Sequence, residues 1–383
     1  VLNKKCLLVF GTRPEAIKLS PIVSQIHFRE DQGLKAVVCV TGQHRELLDE
    51  VLKTFSIQPD YDLNIMRRGQ SLSDITCRVL QGLENVLMSE KPDLILVQGD
   101  TTTVMAASLA AYYHKIPLGH VEAGLRSRDK FQPYPEEINR RLTSILADLH
   151  FSPTRSAAAN LLSEGVRPDS IFITGNTVVD ALLEVTRRPY EFQDPRMASL
   201  SGRMILITAH RRESFGDGLA SICRAVRALA ARYPEIAFVY SVHPNPNVRE
   251  AVLSGLNDRT NVILLDPLPY VAFSHLMKRS AIILSDSGGI QEEAPSLHKP
   301  LLILRDVTER PEVLEVGAGL LVGTSAEKII AETTRLLEDP EHYQRFASAP
   351  NPFGDGQASR RIVDVLVSHF GLVNHHNLLN MAA

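Results

Sequence analysis

No two cysteines in this chain are spaced to hold a metal. The four present (Cys6, Cys39, Cys77 and Cys223) are scattered over 383 residues without a CxxC pair, which excludes structural zinc and a disulfide framework. Cys6 and Cys39 stand in apolar, strand-like runs, where cysteine behaves as a small hydrophobe. The 13 histidines form neither HxH nor HExxH, and the His375-His376 pair sits in a polar tail, so no metal is expected. An excess of one charge is missing too. A formal net charge of −3 gives no field for nucleic acid or an anionic membrane, so any anion site must be local. No apolar run is long enough to span a bilayer, and no signal-peptide cleavage pattern follows the short run Cys6-Leu7-Leu8-Val9-Phe10. A reduced cytoplasmic protein is the expectation. The dinucleotide fingerprint G-x-G-x-x-G is absent where it would count. Its nearest look-alike, Gly317-Ala318-Gly319 with Gly323, precedes a strand, which argues against a bound nicotinamide cofactor.

What the chain does have is alternation. Short apolar runs at 5–10, 36–40, 93–97, 117–121, 149–151 and 171–173 read as strands. A second series follows at 204–208, 237–241, 262–265, 281–284, 300–304 and 319–322. Amphipathic helical patterns lie between them, at 14–29, 71–89, 102–114, 217–232 and 325–337. Fully apolar strands separated by helices mark parallel sheets covered on both faces. The length and the 44% hydrophobic content fit two such units. The expected class is therefore α/β, with two Rossmann-like, doubly wound domains. They are read as 1–174 and 175–352, with a helix over 357–370 returning to the first and a loosely ordered tail at 371–383.

Ligands of open parallel sheets bind beyond the carboxyl ends of the strands, and the candidate residues fall there. The strand ending at Leu284 runs into Asp286-Ser287-Gly288-Gly289 and then a helix beginning near Ile290. Glycines at a strand-to-helix turn leave backbone N–H groups uncovered beside a positive helix end, a seat for phosphate. Glu293, a helical turn past Gly289, suits the two hydroxyls of a ribose. Together they read as a nucleotide seat, against the blander reading of a capped helix. Gly11-Thr12-Arg13-Pro14 puts a guanidinium at the end of the first strand, with Lys18 one turn into the helix. Asp100 ends another strand, where a helix N-cap is the plain reading. Glu122 interrupts an apolar strand end, an expensive place for an idle carboxylate. Glu136 and Glu137 open a helix, where acids suit the dipole, yet they add to carboxylates converging on one side of the first domain. His210-Arg211-Arg212 and His243 supply a positive edge to the second domain, and Arg310 follows a later strand.

These strings resemble, in order, those of the bacterial non-hydrolysing UDP-N-acetylglucosamine 2-epimerases. The matching pieces are GTRPEAIK, TGQHRELLD, GDTTT, GHVEAGLR, PEEINR, GNTVVDAL, HRRESFG, VHPNPNVRE, DSGGIQEEAPSL, RDVTERPE and NPFGDGQASRRI, spanning residues 11 to 362. The resemblance implies two Rossmann-like domains facing across a cleft in the GT-B arrangement, a homodimer, and no metal or nicotinamide. It implies proton chemistry by Asp100, Glu122 and Glu136, with His210 stabilising the leaving diphosphate. It assigns UDP to Arg13, Ser287, Gly288, Gly289, Glu293 and Arg310, with Lys18 nearby and Phe273 against the uracil. Some members bind a second UDP-N-acetylglucosamine as an activator, and Gln43, Gln70, Arg211 and His243 match the positions used there. This chain departs from those members at Gly69, where they carry arginine, although Arg67 and Arg68 stand beside it. A GT-B glycosyltransferase would share the nucleotide half but need an acceptor groove; the first-domain carboxylates favour epimerisation.

Overall fold

The computed structural model describes residues 3–43 and 45–372; the tail beyond Leu372, with His375-His376, lies outside the described residues. The chain divides into two compact units, one running to Ala181 and resuming at Phe353, the other spanning Leu182–Pro352. The division falls inside the helix Thr177–Arg187, later than the residue 174 expected from the turn at Gly175. The reason is Asp180. Its buried carboxylate accepts the backbone N–H groups of Ala358 and Ser359 and the Ser359 hydroxyl, which ties the start of that helix to Ala358–His369. The returning helix also packs against Arg13–Phe28, where Arg29 pairs with Asp364.

The first unit is a seven-stranded parallel sheet. Its strands are β1 (Lys4–Phe10), β2 (Leu34–Val40), β3 (Tyr61–Asp62), β4 (Leu94–Gln98), β5 (Leu118–Val121), β6 (Leu149–Ser152) and β7 (Ile171–Ile173). They lie in the order 3-2-1-4-5-6-7. β3 is absent from the sequence reading because it has only two residues and no apolar run; an edge position held by Leu63 N–H to Val40 C=O suffices for it. The second unit has six parallel strands in the order 10-9-8-11-12-13. They are β8 (Met204–Thr208), β9 (Ala237–Ser241), β10 (Val262–Leu265), β11 (Ile282–Ser285), β12 (Leu301–Ile303) and β13 (Gly319–Leu321).

Both cores are built from the runs that announced the strands. Leu7, Val9, Val37, Cys39, Ile95 and Val97 are buried in the first, and Ile205, Ile207, Phe238, Tyr240, Ile282 and Leu284 in the second. Each such aliphatic side chain contributes roughly 1.5–3 kcal/mol by leaving water. Burial also pushes the Cys6 and Cys39 thiols up to about 12, consistent with cysteine used as a hydrophobe. None of the described helices is long and apolar enough to cross a membrane. Each strand order reverses direction once, between β1 and β4 and between β8 and β11. A crevice opens at such a switch point, and the candidate residues emerge beside it.

Candidate active site

In the first unit, the turn after β1 is fixed by close approach. A Cβ on Gly11 would meet the Thr41 hydroxyl at 2.0 Å, so no other residue fits without a shift. Buried Glu15 accepts the backbone N–H groups of Gly11 and Thr12 at 2.7 and 2.8 Å and the Thr101 hydroxyl, locking this turn to the one after β4. Arg13 emerges from it half-buried. Lys18 turns toward Glu122, with its ammonium paired to that carboxylate.

Glu122 follows β5 in a left-handed backbone conformation, φ +67°, which is strained for a residue with a side chain. Its Oε2 also accepts from Gln98 Nε2 at 2.9 Å and Asn176 Nδ2 at 3.3 Å. Three donors thus converge on this one oxygen. Asp100 is not the helix cap: Thr101 is, accepting the Val104 N–H. Asp100 instead pairs with Arg140 at 2.5 Å, and its carbonyl accepts from Asn139 Nδ2 at 2.9 Å. Next to it, buried His120 holds the Gly99 carbonyl through Nε2 at 2.8 Å. Burial drives the His120 imidazole down to about 3, so it stays neutral.

The adjacent acids Glu136 and Glu137 separate by environment. Glu137 is buried, accepts the backbone N–H groups of Ser127 and Arg128, and lies 3.6 Å from Arg140. Glu136 is half-buried at the first position of the helix Glu136–Leu146, with no hydrogen bond to its carboxylate among the described residues. Glu137 is a structural acid, and Glu136 keeps its carboxylate available. Gln43 accepts the Thr103 hydroxyl at 2.8 Å, while Gln70 accepts the Arg67 N–H at 3.0 Å in the loop before Leu72–Glu90. A cavity of about 520 Å³ in this unit is lined by Ser144, His150, Glu164 and Arg167. It lies at the amino end of β6, away from the strand ends that carry the motifs.

In the second unit, His210 and Asp286 flank the switch point. His243, beyond β9, stacks on His210 with centroids 5.2 Å apart and planes 9° from parallel. Burial lowers the pKa of His210; the Asp286 charge opposes this, and His243 and Arg211 reinforce it. Ser287 sits at the cap position of the helix Gly288–Glu293 without using its side chain as a cap. A Cβ on Gly288 would meet only Arg211, at 3.8 Å, and one on Gly289 only Ser287, at 3.9 Å. The glycines therefore leave open space over the turn, with no backbone strain to relieve. Glu293 is buried and accepts the Tyr270 hydroxyl at 3.1 Å. Phe273 stands one turn along the same helix, Tyr270–Arg279, so the ribose and uracil candidates share one support. Arg310 is anchored by Glu292 at 2.6 Å, and Thr308 by Gln291.

A family model described as UDP-N-acetylglucosamine 2-epimerase matches residues 26–367. The chain belongs to that family. The UDP-N-acetylglucosamine 2-epimerase of Yersinia pestis is 54% identical over 374 residues, covering 95% of this chain and 99% of the relative. Its counterpart in Escherichia coli K12 is 54% identical over 375 residues, covering 94% and 98%. The crystal structure of the UDP-GlcNAc 2-epimerase from Neisseria meningitidis bound to UDP-GlcNAc has a TM-score of 0.85 at 48% identity, covering 95% of this chain and all of that one.

Four supporting residues of this epimerase-family chain escaped the sequence reading: Gln98, Asn176, Arg140 and Asp286. Each holds a candidate residue by its side chain. A signal was present for two of them. Gln98 and Asp286 are polar residues ending apolar strands, the same anomaly that singled out Glu122. Arg140 and Asn176 carried none, because an arginine on a helix and an asparagine in a turn are ordinary.

Proposed function

We propose that this enzyme interconverts UDP-N-acetylglucosamine and UDP-N-acetylmannosamine at C2 by elimination and re-addition of UDP. The observation that carries the reading is a division of charge. Carboxylates crowd the carboxyl ends of β4 and β5 in one unit, while a cationic edge and an open Ser-Gly-Gly turn occupy the same end of the other sheet. The C2 hydrogen is not next to a carbonyl, so direct deprotonation and return is unfavourable. In the elimination, a carboxylate takes H2 as a proton, the C2 electron pair forms the C1–C2 double bond, and the C1–O bond breaks with its electrons to UDP. The intermediate is a 2-acetamidoglucal. Addition of UDP with proton delivery to the other face of C2 gives the epimer. Glu122, ringed by donors, suits the proton-accepting form; Asp100 and Glu136 complete the proton chemistry. Arg13, Ser287, Gly288, Gly289, Glu293, Arg310 and Phe273 hold UDP, and Lys18 acts through Glu122.

Incubation with UDP-N-acetylglucosamine alone in heavy water tests this. Deuterium should enter C2 of both sugars without any acceptor; a protein that binds UDP yet exchanges nothing sinks the reading. We further assign the product to surface-polysaccharide synthesis in the cytoplasm. Gln43, Gln70, Arg211 and His243 are assigned to an activating second molecule of the nucleotide sugar. A homodimer is supported by the inverted helix Glu136–Leu146. Its inward residues are polar (Glu137, Asn139, Thr143 and Ser144), whereas Ile138, Leu142 and Ile145 are exposed by 37%, 42% and 79%. An apolar stripe turned outward calls for a covering partner.

A further inference from the structure

His210 and Asp286 meet because of register. β8 and β11 pair in parallel with Thr208 opposite Ser285, so both chains leave the sheet side by side. Asp286 is fully buried, and its Oδ2 accepts the backbone N–H groups of His210 and Arg211 at 2.6 and 2.7 Å. The carboxylate thus clamps the main chain on which the imidazole is mounted. Its other oxygen, Oδ1, has no hydrogen-bond partner and lies 3.3 Å from His210 Nδ1. A buried carboxylate oxygen left unpaired is costly, and a proton on Nδ1 removes that cost. The ring of His243 stacks against the imidazole with the two planes 9° from parallel.

We propose that Asp286 is the positioning residue for His210, holding the ring with Nδ1–H toward the carboxylate and Nε2 toward the ligand, and that the ring takes up a proton when a diphosphate binds. This rests on the reading that His210 meets the diphosphate of UDP. The groups facing the ring are Asp286 beyond β11, His243 beyond β9, and Arg211 in its own segment. In the free protein burial, His243 and Arg211 outweigh Asp286, so the ring is neutral and Nε2 carries a lone pair. A diphosphate adds negative charge on the Nε2 side. One proton then passes from the buffer to Nε2, which becomes a donor to a phosphate oxygen, and the cation lies between two anions. The same arrangement lets Nε2–H follow the charge that develops as the C1–O bond breaks.

Nitrogen-15 NMR of the histidine-labelled, ligand-free chain near pH 7 reads the tautomer directly. Nδ1 should be protonated and Nε2 bare; the opposite tautomer overturns Asp286's role without needing any variant. Calorimetry of UDP binding in buffers of different ionisation enthalpy should show uptake of about one proton per site above the free-ring pKa. Asp286→Asn keeps an oxygen for the two backbone N–H groups but turns an amide NH₂ toward Nδ1, forcing the other tautomer. In that variant uptake should vanish and kcat fall about 10²-fold, with KM changing much less. Unchanged proton uptake in a folded Asp286→Asn protein overturns the proposal. Failure of the wild-type chain to bind UDP would sink the nucleotide reading and the proton uptake with it, leaving the tautomer measurement to decide Asp286's role.

Discussion

In the first unit, acidic side chains beyond β4 and β5 are held by cations and amides; in the second, the imidazole beyond β8 and a guanidinium beyond β12 are held by buried carboxylates. Glu122 is steadied by Lys18, Gln98 and Asn176, and Asp100 by Arg140. His210 is steadied by Asp286, and Arg310 by Glu292. The two sheets share one strand order about their switch points, so topology does not explain the difference. The buried partner does. A polar or charged group at a strand end must be neutralised or hydrogen-bonded, and the partner buried beneath it selects which kind of group is held there.

Breaking the first unit's side should have the largest effect. Glu122→Gln should lower C2 deuterium exchange by about 10³-fold or more while calorimetry still shows UDP binding. Loss of UDP binding as well would mean that Glu122 belongs to the nucleotide site. Breaking the second unit should do the reverse. Glu293→Ala removes the carboxylate proposed to accept the ribose hydroxyls and should weaken UDP by roughly 10- to 100-fold; an unchanged Kd would remove that assignment.

The comparison also extends to acid stability. His120 and His150, adjacent in register on β5 and β6, are both buried, and burial holds them down to about 3 and about 4. The unfolded chain binds protons that these native rings refuse. Their contribution is therefore full above about pH 6.5 and is lost progressively as pH falls from there through the folded values of about 4 and about 3, on the order of a few kcal/mol. Urea titrations at pH 7 and pH 5 should show this loss, reduced in His120→Gln. An equal loss in that variant would place the sensitivity elsewhere. The gentlest test concerns the outward stripe. Ile145→Glu should shift sedimentation from dimer to monomer and leave the far-UV spectrum unchanged; a dimer that persists removes this face as the contact.

Much of this was legible before any coordinates. Apolar runs marked every strand except β3, and polar residues at their ends supplied most of the candidate residues. The rest was hidden by distance along the chain. Asn176 reaches Glu122 across 54 positions and Asp286 reaches His210 across 76, and neither spacing has a local signature. Apart from the family resemblance, which singled out Glu136, nothing in the residues themselves told it from Glu137, a chemically equal neighbour. The folded loop distinguishes them physically by offering the N–H groups of Ser127 and Arg128 to Glu137 alone.

The Asp180 link to Ser359 has a consequence for how the protein is made. The first unit to leave the ribosome lacks its closing helix until the whole second unit has been synthesised, a delay of about ten to thirty seconds at ordinary elongation rates. During that interval the surface of Arg13–Phe28 that Ala358–His369 will cover stays open, and Asp180 has no Ser359 to bind. The nascent chain therefore carries an unfinished first unit for as long as the second is being made.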